Sequence, residues 1–128
     1  MPSFAIPVAR PTVHLQTAAH GPLLVVRPAH DRLNAHLAGA FRTALLDLFE
    51  SGHERLVVDL SGVAFMDSSA LGALVAVHKR CVAENGLFLL CDLSPAVASL
   101  FDLTRMSSVF RIYPTVTDAV ATYAPNHP

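Results

Sequence analysis

Leu56-Val57-Val58-Asp59-Leu60-Ser61-Gly62-Val63-Ala64-Phe65-Met66-Asp67-Ser68-Ser69-Ala70-Leu71-Gly72-Ala73-Leu74 is the stretch from which the fold is read. Leu56, Val57, Val58 and Leu60 form the near-continuous apolar run of a strand covered on both faces. Ser61-Gly62 supplies turn chemistry. Leu71, Leu74, Val75, His78, Cys81 and Val82 then recur at spacings of three and four, one face of a helix. Asp67-Ser68-Ser69 falls in the first turn of that helix. Aspartate and serine are good cap residues there, because a side-chain oxygen accepts a bond from an orphan backbone N–H. The same helix end offers unpaired N–H groups and the positive end of the dipole, so it can also hold an added phosphate. A serine hydroxyl at that place is a cap or a phosphoacceptor, and the residues alone leave both open.

Outward from this stretch, strands and helices alternate. Thr12-Val13-His14-Leu15-Gln16 alternates like a half-buried edge strand, His20-Gly21-Pro22 turns the chain, and Leu23 to Arg27 follows as a second strand. The two are expected to pair as a hairpin. After the loop Pro28 to Asp31, an apolar stripe of Leu33, Leu37, Ala40, Phe41, Ala44, Leu45, Leu48 and Phe49 marks the first long helix. Asn34 sits at its cap position and Ser51-Gly52 at its end. Glu84-Asn85-Gly86 closes the helix of the opening stretch, with Gly86 expected in the left-handed position. Leu87 to Cys91 is another apolar strand. Ser94-Pro95 starts a third helix, with Val97, Leu100, Phe101 and Leu103 on its buried side. Val109 to Tyr113 is a last short strand, and Thr115 or Thr117 caps a final helix through Tyr123. Strands separated by helices of these lengths imply crossovers and a largely parallel sheet. The expectation is an α/β fold: a small, mostly parallel sheet with an antiparallel N-terminal edge hairpin, flanked by about four helices. Residues 1–11 read as an arm, 12–123 as one domain and 124–128 as a tail.

Met66-Asp67-Ser68-Ser69-Ala70-Leu71-Gly72 closely resembles the Met-Asp-Ser-Ser-Gly-Leu-Gly signature of bacterial anti-sigma factor antagonists, single-domain members of the STAS family. The resemblance runs from about Leu23 to Thr122. It implies the STAS fold and a binding protein rather than an enzyme. The implied phosphoacceptor is Ser68, modified by a partner kinase that is itself the anti-sigma factor and that brings the ATP and Mg²⁺. A serine phosphatase would restore the hydroxyl. The implied partner-binding residues are Asp31, Arg32, Asn34, Met66, Asp67, Ser69, Ala70 and Leu71, with no cofactor and no metal on this chain. Three positions depart from the family pattern. Ala70 replaces a glycine. Arg32-Leu33-Asn34-Ala35 stands where Arg-Leu-Asp-Ala is common, which either removes a charge from the partner surface or exchanges one cap for another. Arg105-Met106 replaces Gly-Leu and leaves the exit of the third helix open. These departures leave room for a second role known in the family, a non-switching scaffold or adaptor subunit of a signalling or transport assembly.

Composition narrows the alternatives. With 128 residues, 52% of them hydrophobic and 15% charged, the chain has room for a real core. A net charge of −1 without a Lys/Arg cluster argues against a nucleic-acid surface. The longest apolar run, Ala70 to Val77, is far too short for a membrane span, and no signal-peptide pattern opens the chain, so a cytoplasmic protein is expected. Cys81 and Cys91 lack a CxxC pattern and read as small buried residues. Asp59 at a strand end invites comparison with a phosphorylated receiver aspartate, but the preceding strands end in Arg27-Pro28 and Gln16-Thr17, without the acidic pair that holds Mg²⁺. Ser68 lacks the flanking glycines of a hydrolase elbow. The seven histidines show no metal-site spacing, and a Walker-type phosphate loop is absent.

Overall fold

The protein is described over residues 12–123 by a computed structural model; the expected arm (1–11) and tail (124–128) lie outside the described residues. Five strands form the main sheet: β1 (Leu15–His20), β2 (Leu23–Pro28), β4 (Arg55–Asp59), β6 (Leu87–Cys91) and β7 (Arg111–Tyr113), in the order β1-β2-β4-β6-β7. Only the β1–β2 pair is antiparallel. Two further strands, β3 (Arg32–Leu33) and β5 (Phe65–Met66), pair in parallel as a separate miniature sheet.

Alternation along the three central strands sends side chains to two cores. Leu24, Val26, Leu56, Val58, Phe88 and Leu90 point to one face. There they meet three helices, α1 (Ala35–Glu50), α2 (Ser68–Ala83) and α3 (Pro95–Leu103), through Phe41, Leu45, Leu74, Val77 and Phe101. Leu23, Val25, Val57, Leu89 and Cys91 point to the other face, covered by α4 (Val116–Tyr123) through Ala119. With both faces covered, the central strands are apolar throughout, as their sequence announced.

β2, β4 and β6 are each followed by a crossover helix, so α1, α2 and α3 all begin at the carboxyl end of the sheet. That edge is where open α/β sheets place their sites. Caps fix the starts: Asn34 accepts from the His36 N–H in α1, Asp67 from Ala70 in α2 and Ser94 from Val97 in α3. Thr115, of the two threonines considered, caps α4 by accepting from the Asp118 N–H at 3.1 Å.

Several sequence expectations are corrected. The first strand lies three residues later than its alternation suggested. Val13 and Leu15 are half-buried between exposed neighbours, but the ladder runs from Leu15 to His20. Residues Gln16 to His20 are exposed, so no hydrophobic pattern marks them; the Gly21-Pro22 turn, with Gly21 at φ 59°, sets the register. Leu33, counted in the apolar stripe of the first helix, is fully buried in β3 instead, ahead of the Asn34 cap. Val82 and Leu103, assigned to buried faces, are 57% and 84% exposed: Val82 turns to solvent beside the fully buried Cys81, and Leu103 is the last residue of its helix. Gly86 is not the left-handed residue after α2; Asn85 is, at φ 58°. Gly86 is needed for a different reason: a Cβ there would lie 2.6 Å from the Phe49 ring and 2.8 Å from the Glu54 carbonyl.

Candidate functional site

The miniature sheet builds the site. The Ala64 and Phe65 N–H groups both donate to the Asp31 carbonyl, at 2.8 and 3.1 Å, and the Asp67 N–H donates to the Leu33 carbonyl at 3.1 Å. These bonds tie the loop ahead of α1 to the loop ahead of α2. Leu33 and Met66, paired in register, turn inward and are 0% and 4% exposed. Arg32 and Phe65, the other pair, turn outward, with the guanidinium 4.9 Å above the ring centroid. The Ser94 hydroxyl at the start of α3 reaches the Ala64 carbonyl at 3.5 Å, so the third helix braces the same loop.

Asp67 occupies the centre. One carboxylate oxygen, Oδ1, accepts from the Ala70 N–H at 3.0 Å and caps α2. The other, Oδ2, accepts from the Ala35 N–H at 2.7 Å, in the first turn of α1. A single side chain thus serves the N-termini of two helices. Ser68 is the first residue of α2, exposed and not its cap. The cap role that the residues left open therefore belongs to Asp67. Ser69 is exposed beside it and opens onto a shallow depression of about 270 Å³ between α1 and α2, lined by Ala38, Gly39, Arg42, Gly72 and Ala73.

The residues singled out from sequence divide by burial. Asp31, Arg32, Ser68 and Ser69 are exposed and share one face, with Asn34 and Asp67 half-buried between them. Asn34 acts as a cap in place of the family aspartate, its Oδ1 accepting from the His36 N–H at 3.1 Å. Met66, Ala70 and Leu71 are 4%, 0% and 5% exposed and support this face from beneath. The methyl of Ala70 therefore packs into the core, and the exposed surface here is formed by its neighbours. Sequence reasoning missed Phe65, 41% exposed, whose only signal was an aromatic directly before the signature.

Away from this face the thiols are inert. Cys81 and Cys91 lie in the two different cores on opposite sides of the sheet, so they do not pair. Burial pushes the Cys81 thiol up to about 11. Cys91 rises to about 12, through burial and then the Asp59 and Asp92 carboxylates. Among the described residues the ligand atoms of Asp59, Cys91 and Asp92 come within 4.8 Å of one another. A thiol held protonated there, donating to the Val58 carbonyl at 3.7 Å, is a poor metal ligand. The Asp59 carboxylate accepts from the Ser61 N–H at 2.9 Å, a turn-stabilising bond. No helix among the described residues is long and apolar enough to cross a membrane.

Known proteins agree with this architecture. An anti-sigma F factor antagonist of Paenibacillus polymyxa is 26% identical over 109 residues, covering 84% of this chain and 92% of its own. The crystal structure of an anti-sigma factor antagonist from Mycobacterium paratuberculosis, 25% identical, superposes with a TM-score of 0.77 over 87% of this chain and 93% of that one. The Bacillus cell fate determinant SpoIIAA in its phosphorylated form, 19% identical, shares the fold with a TM-score of 0.65 over 86% of this chain and 99% of that one. The STAS domain model matches residues 14–119, which takes in every strand of the sheet and the helix that begins at Ser68; the chain belongs to the STAS domain family.

Proposed function

We propose that this chain is an anti-sigma factor antagonist controlled by phosphorylation of Ser68. Unmodified, the face of Asp31, Arg32, Asn34, Phe65, Asp67, Ser68 and Ser69 docks on an anti-sigma factor that is also a serine kinase, and so frees a sigma factor. The kinase brings ATP and Mg²⁺ and phosphorylates Ser68, and a serine phosphatase reverses the step, all in the cytoplasm. The general base and metal ligands belong to the kinase, as phosphoryl transfer generally requires.

The observation that carries this reading is the exposed hydroxyl of Ser68 at the first position of α2, with capping already supplied by Asp67. Modifying it removes no hydrogen bond on which the helix start depends. A phosphate adds roughly −1.5 to −2 charge and three acceptor oxygens. At a helix N-terminus the fold tolerates that charge. At an interface beside Asp67 it repels and adds bulk. A misplaced interfacial charge costs about 2–5 kcal/mol, which is roughly 30- to 5,000-fold in affinity. The relatives named as anti-sigma factor antagonists, and the phosphorylated form in which SpoIIAA was solved, point the same way.

The test compares Ser68→Ala and Ser68→Asp for binding to the kinase by calorimetry. Alanine is expected to hold the complex and aspartate to weaken it at least about 30-fold, the lower end of what a misplaced charge does. Equal affinities for the two variants sink the switch. Mass spectrometry after incubation with kinase and ATP should find the added phosphate on Ser68.

A further inference from the structure

We propose that Asp67 is a positioning residue that locks the Asp31–Asn34 rim and Ser68 into one rigid recognition unit. The proposal rests on the reading of Ser68 as phosphoacceptor and adds how that hydroxyl is brought into register with the partner.

The geometry divides the two carboxylate oxygens between helices: Oδ1 serves Ala70 in α2 and Oδ2 serves Ala35 in α1, across 32 residues of sequence. Helix α1 already has its own cap, since Asn34 accepts from the His36 N–H. The Asp67–Ala35 bond is therefore additional to ordinary capping, and what it adds is a link between elements. Two helix N-termini brought together present like ends of their dipoles, and one shared anion offsets both. Bonds to a charged acceptor are also the stronger kind. Without the link, the only backbone ladder between the rim and the Ser68 loop is the pair of two-residue strands β3 and β5, too short to be rigid alone, and the remaining ties are side-chain packing: Arg32 on Phe65 and α1 against α2. With the link, a partner that grips Asp31 and Arg32 finds the Ser68 hydroxyl at a fixed offset. The effect falls on recognition and not on chemistry at the hydroxyl.

Two variants separate the link from the caps. Ala35→Pro removes the donor, and because the ring Cδ takes the place of the amide hydrogen, Asp67 Oδ2 has to turn away from α1 while Oδ1 remains the acceptor for Ala70. Ala35 is the first residue of α1, where proline is favoured. Asn34 before it is extended at φ −123° and ψ −176°, which a following proline accepts. Asp67→Asn keeps one acceptor oxygen and turns the other into a donor, so it can serve one helix only. In both variants amide hydrogen exchange at Ala64, Phe65 and Asp67, the donors of the miniature sheet, is expected to quicken about tenfold, the weight of one charge-assisted bond. In Ala35→Pro the Ala70 amide should stay as protected as in the parent. With the cognate kinase and ATP-Mg²⁺, the KM for Ala35→Pro as protein substrate should rise about tenfold with kcat unchanged, by the same conversion. Unchanged exchange at the three amides in Ala35→Pro overturns the proposal, and so does a loss confined to kcat. If exchange quickens but the parent protein is not phosphorylated at Ser68, the lock stands and the phosphoacceptor reading fails. If the parent is phosphorylated and exchange does not change, the reverse holds.

Discussion

Arg105 carries a conformation that its residue type disfavours. Helices α1, α2 and α3 end in the same way, one residue past the cap taking a left-handed backbone: Gly52 at φ 109°, Asn85 at φ 58° and Arg105 at φ 60°. The hydrogen bonds repeat too. Gly52 donates to the Phe49 carbonyl, Asn85 to Val82 and Arg105 to Asp102, while His53 and Gly86 close the longer loops back to Leu48 and Cys81. Glycine suits this place, asparagine tolerates it, and arginine pays for its Cβ with roughly 1–2 kcal/mol. The departure Arg105-Met106 from the family's Gly-Leu therefore does not alter the helix exit; it makes the same exit strained. Arg105→Gly is expected to stabilise the protein by about 0.5–1 kcal/mol, the Cβ relief less the extra chain entropy of glycine. A denaturant melt should show a higher midpoint at unchanged slope. A lower midpoint would mean that the arginine side chain makes a compensating contact. The one-residue misplacement of the α2 exit in the sequence reading has the same root. A glycine near a helix end can be there for its φ or for want of space, and only the neighbours Phe49 and Glu54 reveal which.

At the scale of elements, what the sequence announced was whatever repeats. The exposed β1 was placed three residues early, from its flank and its turn, but β2, β4, β6, β7 and the four helices were legible because apolar residues run unbroken through the central strands and recur near 3.6 along the helices. The strands β3 and β5 were not, since two residues hold no period, yet they carry the site. The bond from Asp67 to Ala35 was equally invisible, joining residues that only the crossover topology brings together. Ser68 was singled out through the signature around it, and the structure adds Phe65, likewise exposed in the segment just before α2. An aromatic ring 41% exposed beneath the Arg32 guanidinium has the make-up of an interface anchor. In the isolated protein an exposed cation–π pair is worth only about 0.5–1 kcal/mol. Phe65→Ala should therefore leave stability within about 1 kcal/mol of the parent while weakening kinase binding by about 2 kcal/mol, roughly 30-fold. Titration calorimetry beside a thermal melt reads both quantities. A binding loss no larger than twofold would remove Phe65 from the docking face.

For the molecule as a whole, the end of the sheet remote from the β1 edge depends on one aromatic cluster. His78 of α2 lies 5.0 Å from Phe110 and 6.1 Å from Phe88 of β6, and Phe110 lies 5.5 Å from Phe101 of α3. Four elements, α2, β6, α3 and the approach to β7, meet at these rings. The sequence showed His78 only as one more member of an apolar helix face. Nothing in its spacing indicated that Nδ1 is buried with no hydrogen-bond partner among the described residues. Burial, and then the positive charge of Arg111 at the start of β7, hold the His78 imidazole below its ordinary value of 6.5. The sign follows from linkage. The unfolded chain takes up the proton at about 6.5, an ordinary histidine value, and the folded protein only at lower pH. The stability associated with neutral His78 is thus fully present above about 6.5 and is lost as pH falls through the folded-state value. Replacing the ring by one that cannot titrate should remove this slope while keeping the packing. His78→Phe is accordingly expected to flatten the decline in melting temperature between about pH 7 and pH 5, with little change at neutral pH. Melts of both proteins across that range decide the matter: parallel declines would show that acid acts on other groups, and that protonation of this ring is accommodated without strain.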